Sequence, residues 1–98
     1  MNKFQSLGAS IREIRERKGL LLRQVAAGLE VDTAFISKIE RGEKRINKEQ
    51  VKKISKFLGT SENKLMDLWL AEKIMIAIEG EERADQALKL VLKKIKKS

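Results

Sequence analysis

The sequence predicts an all-α protein. It contains no proline, most of its six glycines fall between apolar runs, and its apolar residues recur every three or four positions along the chain. No internal repeat or low-complexity segment interrupts that pattern. With 98 residues there is room for one modest core.

Taken in order, the first helix is expected to open near Asn2, with Asn2 and Gln5 as a capping box. It carries Phe4, Leu7, Ile11 and Ile14 on one face, and Gly19 supplies its left-handed stop. A short second helix, Leu22 to Leu29, offers Val25, Ala26 and Leu29 to the core. After a three-residue turn, Glu30 to Asp32, the Asp32 side chain caps a third helix that runs to Arg41 and ends at Gly42. Ile36 and Ile39 face inward there, while Thr33, Ala34, Ser37, Lys38 and Arg41 form the opposite face. The fourth helix opens on a capping box, Asn47 with Gln50, buries Val51, Ile54 and Leu58, and stops at Gly59.

The fifth helix begins at Thr60 or Ser61 and continues to Ile78, carrying Leu65, Leu68, Trp69, Ile74, Ile76 and Ile78. That is more apolar surface than a small domain needs. A final helix, from Glu81 to about Lys97, places Ala84, Leu88, Val91, Leu92 and Ile95 on one stripe, with Lys89, Lys93, Lys94, Lys96 and Lys97 around it. Acids at its start and lysines at its end suit the helix dipole.

Composition narrows the function. There is no His, Cys or Tyr, so the usual zinc ligands, thiol nucleophiles, imidazole bases and phenolic acids are missing. We expect no cofactor, no metal and no catalysis. The adjacent acids Glu81 and Glu82 point in different directions on a helix and read as a dipole-favourable start. Asp67, Glu72 and Lys73 break the most apolar stretch, Leu65 to Ile78, so no membrane span is expected. With no apolar signal core at the N-terminus and no cysteine, a cytoplasmic location is expected.

The net charge is +8 and unevenly distributed: residues 1–60 hold 14 Lys and Arg against 7 Asp and Glu, whereas residues 61–98 hold 8 against 7. A basic excess confined to one region suits a polyanion, and nucleic acid is the commonest. The two short helices around a tight turn point the same way, because a helix held by its predecessor can enter a major groove.

The residues Val25, Ala26, Leu29, Val31, Asp32, Ile36, Ser37, Ile39, Glu40, Arg41 and Gly42, at this spacing, resemble the helix-turn-helix of the Xre family of phage repressors and Cro. The segment Ile11 to Leu20 resembles that family's first helix, so the match spans about residues 4–68. The resemblance implies a five-helix DNA-binding domain, 1–68, followed by a C-terminal helical extension, 69–98. By register it implies that Thr33, Ala34, Phe35, Ser37 and Lys38 read bases, Phe35 having packing as its alternative role. Hydroxyls serve several bases, Lys38 suits guanine O6 and N7, and Ala34 or Phe35 suits a thymine methyl.

Arg41, Lys44, Arg45, Asn47 and Lys48 fall where the family's chain runs beside the sugar-phosphate backbone, with Arg23 a further phosphate candidate. The resemblance also implies an ion pair between Arg15 and Glu40. Two departures stand out. Leu21 and Leu22 replace the Thr or Ser cap and the phosphate-touching Gln that often begin the family's second helix, and Glu30 replaces its turn glycine, at a cost of about 1 kcal/mol.

Regulators of this type generally bind as two-fold dimers, which makes the extension the candidate dimer element through Trp69, Ile74, Ile78, Leu88, Val91, Leu92 and Ile95. These residues can close a hairpin within one chain or pack against a second copy. The segment Leu21 to Ala27 with the charged tail also looks like small regulators associated with restriction-modification systems. Double-stranded DNA and a homodimer partner are thus expected. An antitoxin-like or adaptor protein, whose C-terminal helices capture a different protein, is the competing reading.

Overall fold

The computed structural model describes residues 6–97, and among these it contains six helices and no strand. They are α1 (Leu7–Arg17), α2 (Leu22–Leu29), α3 (Thr33–Glu40), α4 (Lys48–Leu58), α5 (Glu62–Ile78) and α6 (Ala84–Lys97). Local chemistry sets most of their ends. Ser6, Asp32, Asn47 and Ser61 each accept a hydrogen bond from the backbone three residues on, satisfying N–H groups the helix leaves without partners. Gly59 closes α4 in the left-handed conformation, as its lack of a Cβ allows.

Two starts differ from expectation. The Asn2–Gln5 box and Phe4 lie outside the described residues, and within them the helix opens on Ser6, whose Oγ accepts from Ala9 N at 3.1 Å. The last helix begins at Ala84, three residues later than expected, because Gly80 at φ +79° and the turn after it take Glu81 and Glu82 out of the helix. α3 ends at Glu40, with Arg41 as its cap rather than its last turn.

The core is aliphatic and drawn from α1 to α5. Leu7, Ile11 and Ile14 meet Val25, Ala26, Ile36 and Ile39, with Val51, Ile54, Leu58 and Leu65 closing the other side. α5 runs unbroken through position 68. Its first half packs on the core, and Glu72 reaches back to accept a hydrogen bond from Leu7 N at the start of α1. Beyond that point its large apolar side chains emerge: Ile74, Met75 and Ile76 are 42–55% exposed.

α6 has no buried residue, and the hairpin that would have covered its stripe within one chain does not form. The radius of gyration, 15.4 Å, exceeds the roughly 13 Å of a compact 100-residue domain, and the molecule measures 43 × 28 × 21 Å. Among the described residues no helix is long and apolar enough to cross a membrane.

Candidate nucleic-acid interface

α3 is held from three directions. Its inner residues Ile36 and Ile39 are buried against α1 and α2. α1 crosses its C-terminal end so closely that a Cβ on Gly8 would lie 2.1 Å from the Ile39 carbonyl oxygen, a gap that only glycine permits. The third restraint is ionic: Arg15 donates from Nε to Glu40 Oε2 at 2.7 Å and from Nη2 to Oε1 at 3.1 Å, while its Nη1 donates to the Leu20 carbonyl at 2.8 Å. Both side chains are about nine-tenths covered. The bond to Glu40 raises the Arg15 pKa above its ordinary value against the opposing effect of burial. Removing either partner would strand the other's charge, at about 3 kcal/mol.

With its back so fixed, α3 turns Thr33, Ala34 and Lys38 outward, all exposed, and Asp32 Oδ1 fixes its first turn by accepting from Phe35 N at 2.8 Å. Phe35 is half-buried against the core, with Lys44 Nζ 5.8 Å from its ring centroid, so packing accounts for much of its surface. Ser37 is half-covered and its Oγ accepts a hydrogen bond from Arg41 Nη1. Arg41 is also bidentate to Glu43, at 2.9 and 3.1 Å, which raises the guanidinium's pKa and lowers that of the carboxyl. An acid therefore sits among the expected phosphate contacts.

The loop between α3 and α4 carries most of the expected backbone contacts. Lys44 and Arg45 are exposed there because the next residue, Ile46, is buried and pins the loop. Trp69 of α5 donates from Nε1 to the Ile46 carbonyl at 2.6 Å, and its ring lies beneath Lys48 Nζ at 5.8 Å and Lys73 Nζ at 4.8 Å. Asn47 caps α4 through Oδ1, which accepts from Gln50 N at 2.8 Å, so only its Nδ2 is left to donate as the expected phosphate contact requires. Arg23, exposed in the first turn of α2, lies outside this loop.

Sequence reasoning overlooked Ile46 and the tie from Trp69. A single apolar residue in an otherwise polar loop was the available signal. It also overlooked Gln24, whose Oε1 accepts from Leu21 N at 2.7 Å and so supplies half of the cap that Leu21 cannot make. Trp69 is half-buried in the domain, whereas Ile74, Val91, Leu92 and Ile95 are 42–61% exposed. Ile78 and Leu88 are partly covered. A cavity of about 50 Å³ beneath the loop, lined by Gly8, Ile39, Ile46, Trp69 and Glu72 among others, is far below the ~300 Å³ of a small-ligand site.

A helix-turn-helix family, HTH_3, matches the chain over residues 11–65. Among solved structures the chain is similar to two of the clp gene regulator ClgR from Corynebacterium glutamicum. One is 29% identical, covering 69% of this chain and 88% of that chain at a TM-score of 0.60. The other is 28% identical, covering 90% and 87% at a TM-score of 0.61. A mutant of the restriction-modification controller protein C.Esp1396I is 26% identical, covering 76% of this chain and 96% of that one at a TM-score of 0.58. No curated protein matches the chain.

Proposed function

This chain belongs to the Xre-like helix-turn-helix family, and from that membership we propose that it regulates transcription by occupying a short palindromic operator as a two-fold dimer. Occupancy is the whole mechanism, since a bound dimer blocks or recruits polymerase without any reacting group. The observation that carries the reading is the outward row Thr33, Ala34 and Lys38 on a helix whose back is fixed by Ile36, Ile39 and the Arg15–Glu40 pair. Ser37 and Phe35 extend that row, and Arg41, Lys44, Arg45, Asn47, Lys48 and Arg23 supply cations and one amide for the phosphates.

One eight-residue helix makes few base contacts, and two copies on two half-sites roughly double the discrimination. The exposed apolar faces of α5 and α6 support the C-terminal segment as the dimer element. They also suit a different protein partner, in which case an untagged neighbour would co-purify with the chain. A cytoplasmic location follows from the DNA partner. The test is selection from a random DNA pool at moderate salt, followed by footprinting. A palindromic sequence protected over two half-sites one helical turn apart is the expected result, and a folded protein that enriches no sequence would overturn the reading.

A further inference from the structure

The apolar stripe of α6 is covered only in part, yet it has the spacing of a packed helix. Ala84 and Leu88 are partly covered, whereas Val91 and Ile95 are 53% and 61% exposed. These four residues, the middle of a stripe that Leu92 borders on one side, are separated by four, three and four positions. That succession is the same from either end, so the middle of the stripe reversed falls on itself about a point between Leu88 and Val91. The charges lack this symmetry. Asp85 stands in the first turn, with Glu81 and Glu82 just ahead of the helix, and Lys93, Lys96 and Lys97 are among the lysines at the end.

We propose that α6 pairs antiparallel with α6 of a second copy, about a two-fold axis between positions 88 and 91. This rests on the dimer reading above and adds the contact and its orientation. Ala84 then faces Ile95 of the second copy, small against large, and Leu88 faces Val91. Asp85 and Lys96 are eleven residues apart, three helical turns, and so lie on the same flank of the stripe. The antiparallel pair therefore sets each copy's Asp85 beside the other's Lys96. A parallel pair would align the lysine-rich ends with no acid between them, and like charges at such an interface select against that arrangement. A two-fold pair of this kind is closed, so assembly stops at the dimer.

The chain has no cysteine, which makes the orientation readable with introduced thiols. Ala84→Cys and Ile95→Cys copies, mixed and bridged by a short bis-maleimide, should give the mixed 84–95 product. In sedimentation equilibrium, Asp85→Lys or Lys96→Glu alone should weaken the dimer about fivefold, and the double exchange should restore it. Three turns separate the two positions within a helix, so only contact between copies can give that rescue. A dimer that yields only 84–84 and 95–95 products, or that the double exchange fails to restore, overturns the antiparallel pairing and leaves the dimer reading standing. A native chain that remains a monomer at every concentration overturns both.

Discussion

Lys38 and Lys44 carry the same charge in different settings, and the difference assigns them different work. Lys38 projects from the exposed face of α3, while Lys44 lies over Phe35 in the loop that follows. We expect Lys38→Ala to relax the preference among operator sequences. Lys44→Ala should weaken all sequences alike and flatten the salt dependence by about one unit of slope. Binding curves against operator and scrambled DNA, at several salt concentrations, separate the two outcomes; identical behaviour would void the division into base and phosphate contacts. Glu43 holds Arg41 in an ion pair, and under the proposed function it would bring a negative charge toward the phosphates. Glu43→Ala should tighten binding to any DNA by about threefold, a gain that disappears at high salt.

Among the elements, the α2–α3 turn stores strain. Glu30 is the only non-glycine residue with positive φ among the described residues, at φ 60° and ψ 43°. Replacing it with glycine should raise the unfolding free energy by about 1 kcal/mol in urea titrations without altering DNA affinity. A neutral or destabilising result would mean that the Glu30 side chain compensates for its backbone. The loop between α3 and α4 depends instead on α5. Trp69→Phe keeps an aromatic ring at the site but leaves the Ile46 carbonyl without its donor, at about 1–2 kcal/mol. Operator and non-operator affinity should then fall together as Lys44, Arg45 and Lys48 lose their common anchor. Full affinity in the Phe variant would show that Ile46 pins the loop alone.

For the whole molecule, the contacts of α5 bear on where the chain can be cut. A break after residue 68 would remove Trp69 and Glu72, which bond to the α3–α4 loop and to the start of α1. Deleting residues 81–98 removes only α6, none of whose residues is buried. That deletion should leave thermal unfolding nearly unchanged while reducing sedimenting mass and operator affinity together. If the shortened chain stays a dimer, the assembly contact lies on α5 or within the domain.

The sequence by itself determined the helices and their order, because spacing of apolar residues, short-range caps and glycine stops act within a few positions of one another. The Asp32 cap, the Asn47–Gln50 box and the limits of α2 were all legible for that reason. Arg15 and Glu40 were named through the family resemblance, not from spacing alone. Tertiary structure decided what depends on residues far apart in the chain: the covering of Trp69, its bond to Ile46, the closeness of Gly8 to α3, and the exposure of α6. Periodicity says which side of a helix is apolar. Only the packed arrangement decides whether anything in the same chain covers it.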